Sequence, residues 1–420
     1  MKKLISILVA FAMMMALAVT AAFATVPAEK QATSLETAAI TKDFVVPAGV
    51  TAPAANFVFQ FSPKASETDQ DTEAVKATIP FTKVENNTAG TQIKTLTFDN
   101  FFTLGTTEVA NKANLPHAGT YVYEVAELAE VEGGSSFTKV TTSAKADESI
   151  AYSTANYTVR IYVINDESAP SGLKIKSITV QPGTGAANDD AKVPATIDST
   201  TGKSGFEFEN VYKKQLKSDE TTDALSIQKL VTGTAGDKQN AFPFTATMTI
   251  PAYAVKADGP QTISGTIGTG ENARTVSFVF AAGSNTATAN GNDGFGLANN
   301  EKLVFTSIPA GTTVDITETL STSTIQNQAL YTQQLTNLTA LADEDQTAPA
   351  DTTIAGKDLK ATTGSLDAAT AAVVTNNLDD TQIQPEGILI SNLPYIALAL
   401  VAVGGLVAYV VVRRRNADEA

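Results

Sequence analysis

The sequence contains no cysteine, no tryptophan and only one histidine, His117, in 420 residues. Without cysteine the chain cannot form the disulfides that stabilise many exported domains, so any covalent staple needs other chemistry. We place the lone histidine in a loop. One histidine cannot supply the several histidine ligands of a zinc site, and it has no suitable partners with which to form a Ser-His-Asp triad. We predict no metal and no cofactor.

Positive charge is also scarce, because 29 Lys and Arg residues face 44 Asp and Glu residues and the net charge is −15. Phosphate binding needs basic patches, and the sequence has none, so we expect no nucleic acid partner. No set of paired carboxylates, or of nucleophile and base, stands out in the sequence. We therefore predict that the chain is not an enzyme.

The N-terminus has the pattern of a secretory signal. Met1 is followed by two lysines, an uncharged apolar run and the small-x-small motif Ala22-Phe23-Ala24. This pattern predicts a signal peptide over residues 1–24 and a lead-in over residues 25–38. The alternative, a permanent N-terminal anchor, would need a longer apolar span.

The C-terminus has the pattern of a membrane anchor. Residues 388–412 contain no charged side chain, and Arg413-Arg414-Arg415 follow them. An apolar run of about 20 residues can cross a bilayer as one helix, and positive charge favours the cytoplasmic side. We predict a transmembrane segment over residues 388–412, a cytoplasmic tail over residues 413–420 and an extracellular body at the cell surface. A buried core helix is the alternative.

Short segments with alternating apolar residues fill the region between the two ends, separated by clusters of Gly, Pro, Asn and Asp. This pattern predicts an all-β protein of β-sandwich domains, since alternate side chains of a strand point to opposite faces. A charged, polar stretch divides the strands into two groups. The predicted divisions are a first sandwich domain (39–213), a linker (214–223), a second sandwich domain (224–380) and a stalk (381–387).

The two predicted domains repeat three local motifs in the same order. Each begins with a strand that contains Lys, continues with a Gly-Thr strand that ends in Glu, and closes on a strand that ends in Asn. Repetition of this kind indicates that the motifs have a common role. The repeated residues are Lys42, Glu127 and Asn210 in the first domain, and Lys229, Glu318 and Asn376 in the second.

Strand phase places these polar residues on the apolar faces of their strands. Lys42 shares a face with Ile40 and Phe44, and Glu127, unlike Glu124, continues an apolar face. The second domain follows the same rule, and there Asn376 is in phase with the apolar residues of its strand whereas Asn377 is not. We therefore expect each Lys, Glu and Asn set to be buried.

Burial gives these three residue types a specific chemistry. Desolvation disfavours charge, so it makes the Lys amine neutral and nucleophilic and keeps the Glu carboxyl protonated. The Lys amine can then attack the Asn carboxamide while Glu polarises the carbonyl and moves protons, which expels ammonia and leaves an amide crosslink. The alternative is an ordinary buried Lys-Glu ion pair with a hydrogen-bonded Asn.

This arrangement resembles the pilin isopeptide-linkage domains of Gram-positive, streptococcal-type pilin subunits. The resemblance extends over most of the exported chain, in two consecutive copies. The resemblance implies two tandem immunoglobulin-like domains of the collagen-adhesin B type. It also implies crosslinks between Lys42 and Asn210 and between Lys229 and Asn376, with Glu127 and Glu318 as the acidic residues that assist bond formation. A fold closed in this way suits a fibre that bears load.

The resemblance further implies that a sortase joins each subunit to a lysine of the next. We identify Lys203 as the acceptor, with Lys213 and Lys214 as rivals, and Pro385-Glu386-Gly387 as a variant sorting signal, because a Leu-Pro-x-Thr-Gly motif is missing. The implied partners are a sortase, other pilin subunits and the cell wall or membrane, with host matrix or glycan as a further option. The alternative function is a monomeric, anchored adhesin stalk, and the alternative for Pro385 and Gly387 is a simple turn.

Overall fold

The computed structural model describes residues 38–64, 74–85, 90–98, 102–105, 112–129, 134–137, 146–184, 191–320, 325, 330–341 and 358–383, with scattered helical residues between 398 and 409. The predicted signal peptide, nearly all of the lead-in, the Pro385-Glu386-Gly387 motif and the cytoplasmic tail lie outside these residues.

Strands dominate the described part of the chain, which confirms the all-β prediction. The strands of the first half are β1 Ala39–Val45, β2 Ala55–Pro63, β3 Val75–Phe81, β4 Thr91–Thr97, β5 Phe102–Leu104, β6 Ala113–Leu115, β7 Gly119–Leu128, β8 Ser136–Phe137, β9 Ala146–Ala151, β10 Asn156–Asn165, β11 Leu173–Pro182 and β12 Glu207–Lys217.

The second half is built in the same way. Its strands are β13 Leu225–Thr232, β14 Phe242–Thr249, β15 Gln261–Ile267, β16 Arg274–Phe280, β17 Thr286–Thr288, β18 Phe295–Leu297, β19 Lys302–Phe305, β20 Ser307–Pro309, β21 Thr313–Glu318, β22 Thr332–Thr336, β23 Thr339–Ala340, β24 Leu359–Thr362 and β25 Thr370–Asn377. Short 3₁₀ helices cover Ala252–Ala254, Gly270–Asn272, Asn290–Asn292 and Asp380–Gln382.

The strands form where apolar and polar residues alternate. In β3, every second residue from Val75 to Phe81 is buried and the residues between them are exposed. The phenylalanines of β2 and β14 point inward in the same manner. This two-residue period follows from the pleat of a strand, so one face of each sheet becomes the core.

Two sheets face each other in the first half. One sheet contains β4, β1 and β12 with β9 at its side, and the other contains β11, β10, β7, β2 and β3 with β8. Aromatic rings join the two sheets across the core, with ring centroids 5.2 Å apart for Phe44 and Phe57 and 4.8 Å apart for Phe59 and Phe208. The first half is therefore a two-layer packing of sheets.

The second half contains a sheet in the order β16-β15-β19-β13-β25-β22 and a sheet in the order β17-β14-β21-β24-β23 with β18 on β14. In both halves the first and the last strand are parallel neighbours, β1 beside β12 and β13 beside β25. Since a parallel pair cannot be joined by a tight turn, nearly all of each half lies between its two paired strands in the sequence.

The predicted linker over residues 214–223 differs from the observed chain path. Residues up to Lys217 belong to β12, which pairs with β9 and then, between Gln215 and Lys217, with β20 of the second half. The charged residues give this part of β12 the sequence pattern of a linker. In the structure, however, Lys214 and Leu216 point inward and are buried, with less buried residues between and beside them. Only the residues from Ser218 to Ala224 connect β12 to β13 without strand structure.

No helix within the described residues is long and apolar enough to span a membrane. Most of the predicted segment 388–412 lies outside these residues. The described residues within it, such as Leu398 and Val401, are helical and exposed.

Candidate functional site

The parallel pairing of β1 and β12 brings Lys42 and Asn210 to one face of a sheet. Lys42 lies opposite Phe208, and Phe44 lies opposite Asn210. Because residues two apart in a strand share a face, Lys42 and Asn210 are diagonal neighbours on the core side.

The second half repeats this register. Lys229 lies opposite Val374 in β25, and Val231 lies opposite Asn376. Thus Lys and Asn are separated by the same two-residue offset in both halves. Two independent strand pairs with one register support a common role for the two sets.

Lys42, Glu127 and Asn210 form one hydrogen-bonded cluster in the core of the first half. Lys42 Nζ donates to Glu127 Oε2 at 2.9 Å, and Asn210 Nδ2 donates to Glu127 Oε1 at 2.5 Å. The side chains of Lys42 and Glu127 are 0% exposed, and Asn210 is buried as well. The ring of Phe57 lies 4.6 Å from Lys42 Nζ. The amine is therefore enclosed by apolar and hydrogen-bonding groups.

This burial acts against both charges of the pair. Desolvation lowers the pKa of Lys42 to about 8, although the charge of Glu127 opposes the shift. Desolvation also raises the pKa of Glu127, against the opposing charge and hydrogen bond of Lys42. Both shifts favour a neutral amine beside a neutral carboxyl, which is the combination that amide formation requires.

Lys229, Glu318 and Asn376 form the equivalent cluster in the second half, and all three are 0% exposed. Lys229 Nζ lies 3.0 Å from Glu318 Oε1, and Asn376 Nδ2 donates to the same oxygen at 3.0 Å. The ring of Phe242 lies 4.7 Å from Lys229 Nζ. Desolvation lowers the pKa of Lys229 to about 8 as well.

Two serines complete the first cluster. The backbone N–H of Ser153 donates to Asn210 Oδ1 at 2.7 Å, and Ser135 Oγ donates to Glu127 Oε1 at 3.4 Å. The Ser153 N–H polarises the carbonyl of Asn210 and fixes the amide so that its nitrogen faces Glu127. Sequence reasoning missed both residues, since neither lies on a strand whose phase marks it and a backbone donor leaves no signal in the sequence.

A glutamine takes a different place in the second cluster. Gln333 Nε2 donates to Glu318 Oε2 at 2.6 Å. Among the described residues, Asn376 Oδ1 has no hydrogen-bond partner. Strand phase could have identified Gln333, because it is buried two residues after the buried Tyr331.

Lys203 is held by carboxylates rather than freely exposed. It lies in the turn before β12, where its Nζ contacts Asp43 Oδ2 and lies 2.9 Å from Glu207 Oε1. Its side chain is 29% exposed. Partial burial disfavours the charged amine, but hydrogen bonds to Asp43 and Glu207 outweigh this and raise the pKa of Lys203.

The rival lysines lie at the junction of the two halves. Lys214 Nζ is 2.8 Å from Asp367 Oδ1, and its side chain is only 8% exposed. Lys213 lies beside it in β12 and faces Ser149 of β9. Pro385 and Gly387 lie outside the described residues.

The chain is similar in sequence to a family model and to a pilin. Residues 223–377 match a family model described as a domain of unknown function, DUF7601. The chain is 24% identical over 372 residues to a pilin of Streptococcus pyogenes serotype M1, covering 87% of this chain and 86% of the pilin.

Solved structures give weaker likenesses. A major pilin from Streptococcus pyogenes is 18% identical, covering 82% of this chain and 98% of the pilin with a TM-score of 0.28. A pilus-presented adhesin is 10% identical, covering 80% of this chain and 100% of the adhesin with a TM-score of 0.24. Scores of this size do not establish a shared spatial arrangement.

The described residues thus form an all-β fold with a buried Lys, Glu and Asn set in each half, as the sequence pattern predicted. The match along most of the curated pilin confirms the resemblance to Gram-positive pilin subunits.

Proposed function

We propose that this chain is a structural subunit of a cell-surface pilus whose two halves are each closed by a Lys–Asn isopeptide bond. The observation that carries the proposal is the repeated register of Lys42 with Asn210 and of Lys229 with Asn376, each pair beside a buried glutamate. Its likeness to the streptococcal pilin supports the same conclusion.

The geometry supports a balanced reaction in the first half. Neutral Lys42 Nζ attacks Asn210 Cγ while the Ser153 N–H stabilises the charge that develops on Oδ1. Glu127 removes a proton from the attacking nitrogen and delivers one to Asn210 Nδ2, with which it is already hydrogen bonded. The Cγ–Nδ2 bond breaks, ammonia leaves, and an amide joins the two strands. Glu318 has the same role toward Lys229 and Asn376.

Intact mass of the purified, folded chain tests this step. Formation of both bonds makes the chain lighter than its sequence by two ammonia molecules, and formation of one bond by one ammonia. Asn210→Ala should remove one loss and Asn376→Ala the other. If the chain instead has the full mass of its sequence, both clusters are ordinary buried ion pairs and the proposed crosslinks are refuted.

Polymerisation is the second part of the proposal. A sortase would cleave the chain near Pro385 and Gly387 and join the new carboxyl terminus to Lys203 of the next subunit. The apolar segment 388–412 would hold the subunit in the membrane before cleavage, with its body outside. Lys203 is favoured over Lys214 because its side chain is 29% rather than 8% exposed.

A ladder of boiling-resistant oligomers in envelope extracts would support this step, and Lys203→Arg should abolish the ladder. Lys217→Arg is the matched control, because Lys217 is another partly exposed lysine in an ion pair. The unusual Pro385-Glu386-Gly387 motif favours an alternative function, a monomeric anchored adhesin stalk. The alternative predicts a single band in wild-type extracts.

A further inference from the structure

The outer face of β1 carries a second cluster of charged residues, separate from the crosslink cluster on its inner face. Lys42 and Phe44 point into the core, whereas Thr41 and Asp43 point the other way and are nevertheless buried. The segment from Ala195 to Gly205 covers them. This segment therefore encloses a polar site on the side of β1 that would otherwise meet solvent.

Hydrogen bonds fix the covering segment over β1. Ser204 N donates to Thr41 Oγ1 at 2.8 Å, and Ser204 Oγ donates to the Ala39 carbonyl at 2.7 Å. On the other side of the turn, Asp198 N donates to the Lys203 carbonyl at 2.7 Å. Lys203 thus has a defined backbone position directly over Asp43.

Two carboxylates surround the amine of Lys203. Asp43 Oδ2 is in contact with Nζ, and Glu207 Oε1 lies 2.9 Å away. The Asp43 side chain is 1% exposed, and its second oxygen, Oδ1, has no hydrogen-bond partner among the described residues. A buried carboxylate with an unused acceptor oxygen is costly, which suggests that the oxygen has a use.

We propose that Asp43 is the internal proton acceptor for acylation of Lys203, and that Glu207 orients the amine beside it. This inference rests on the proposed role of Lys203 as the acceptor lysine. It adds a catalytic residue supplied by the pilus subunit itself, within contact of the reacting nitrogen.

Proton balance explains why such a residue is needed. The ammonium of Lys203 has to lose two protons when its nitrogen forms an amide with the acyl group carried as a thioester on the sortase. The N–C bond forms, the C–S bond breaks and one proton leaves with the sortase thiol. The second proton passes to Asp43, and the amide N–H that remains can donate to a carboxyl oxygen.

The environment of Asp43 suits this exchange. Burial is the main cause that raises the pKa of Asp43 to about 7, and the neighbouring charge of Glu207 raises it further, whereas Lys203 opposes the shift. An acceptor with a pKa near the working pH is effective in proton transfer. The other charged groups near Asp43 are Glu209, its partner in β12, and Lys42, its neighbour in β1.

The ion pair of Lys214 lacks these features. Lys214 Nζ also donates to the Asp367 carbonyl, at 2.6 Å, so the amine has a structural acceptor in addition to the Asp367 carboxylate. Its side chain is 8% exposed against 29% for Lys203. Of these two lysines, Lys203 is the one that combines access with a buried carboxylate whose second oxygen has no partner among the described residues.

The test measures transfer of the full chain onto itself, with membranes of the same cells as the source of sortase, between pH 5.5 and 9. Wild type should lose rate below about pH 7, because Asp43 then takes its proton from solution. Asp43→Asn should be slower by about a hundredfold or more near neutral pH and should lack this acid limb. Glu209→Gln is the matched control, since it removes a neighbouring charge that does not contact Lys203, and it should keep the wild-type profile.

The outcomes separate the two proposals. If Lys203→Arg still forms oligomers, the acceptor assignment fails whatever Asp43 does. If Lys203→Arg is inactive but Asp43→Asn keeps the wild-type rate and pH profile, the role of Asp43 is overturned. Intact mass controls for folding, because Asp43→Asn should retain both ammonia losses. If it does not, Asp43→Glu takes its place and should keep the acid limb; loss of that limb would overturn the proposal.

Discussion

The two halves hold the same Lys, Glu and Asn set in the same register, but they surround it differently. In the first half the Asn210 carbonyl accepts the backbone N–H of Ser153, and a weak hydrogen bond from Ser135 reaches the glutamate. In the second half Gln333 donates a short hydrogen bond to Glu318, and the carbonyl of Asn376 has no partner among the described residues.

The difference separates what bond formation requires from what only adjusts it. The buried lysine, the buried glutamate and the two-residue offset are common to both halves, so they define the proposed reaction. The support of the amide carbonyl and of the glutamate varies. We expect the first half to form its bond faster, because a fixed N–H stabilises developing charge on the carbonyl oxygen.

The largest expected effect comes from removing each lysine in turn. Lys42→Ala and Lys229→Ala should each lower the free energy of unfolding by roughly 3 to 5 kcal/mol, because each would lose the proposed bond that closes most of its half. Thermal unfolding followed by calorimetry should show the loss in the half that carries the substitution. An unchanged melting temperature for either variant would mean that its half contains no bond.

The second comparison uses the pH dependence of chains whose bond cannot form. Burial lowers the pKa of the free Lys42 amine to about 8 from an ordinary value of 10.5, and Asn210→Ala should keep this shift because it leaves Lys42 buried. Between these values the unfolded chain binds more protons, so stability should rise as the pH rises through this window. Asn376→Ala should behave likewise through Lys229.

Denaturant unfolding at pH 7 to 11 measures this slope. The wild-type chain is its own control, because an amide nitrogen does not titrate in this range. A slope in one variant only would show that the two lysines have different environments. An equal slope in the wild type would indicate that its lysines are still free amines.

A smaller effect is expected from the residues that support the glutamates. Gln333→Ala removes a short hydrogen bond to Glu318 and should cost about 1 to 3 kcal/mol, because a buried carboxyl oxygen then loses this partner. Ser135→Ala, its counterpart in the first half, removes a longer hydrogen bond and should cost about 1 kcal/mol. Melting temperature and the fraction of purified chain that has lost each ammonia, measured by intact mass, report both changes. If Ser135→Ala has the larger effect, the hydrogen-bond distances do not report the relative strengths of the two contacts.

The smallest effect concerns the junction where the halves meet. Lys214→Met breaks an ion pair whose lysine is 8% exposed, and it should cost about 1 kcal/mol, because its partner Asp367 is 28% exposed and stays hydrated. Lys217→Met removes a 43% exposed lysine from a surface pair, and it should cost less than about 1 kcal/mol. Calorimetry of the two variants checks the order. Equal losses would mean that the junction contact does not couple the halves.

Strand phase was the most informative signal in the sequence. It selected Glu127 over Glu124, and Glu127 is the residue that contacts Lys42. The same rule selected Asn376 over Asn377. The rule works because a period of two residues is a local property of a strand, independent of its neighbours.

The density of charged residues led us to predict a linker where the structure has a strand that carries several lysines. The run that begins at Lys213 indicated a linker, but it continues β12 because its inward residues are covered by the second half. Nor did the pattern of charge reveal that Lys203, the predicted acceptor, lies against Asp43. Nothing in the local sequence reveals that a segment some 150 residues away will cover Asp43.

The sequence by itself determined the all-β class, the exclusion of disulfides and the faces on which the repeated lysines, glutamates and asparagines lie. The tertiary structure alone decided that β1 lies beside β12 and β13 beside β25, that a backbone N–H meets Asn210, and that two carboxylates hold Lys203. The physical reason is the distance along the chain over which each property is decided. The direction of a side chain follows from neighbouring residues, whereas the choice of neighbouring strands depends on how the whole core packs.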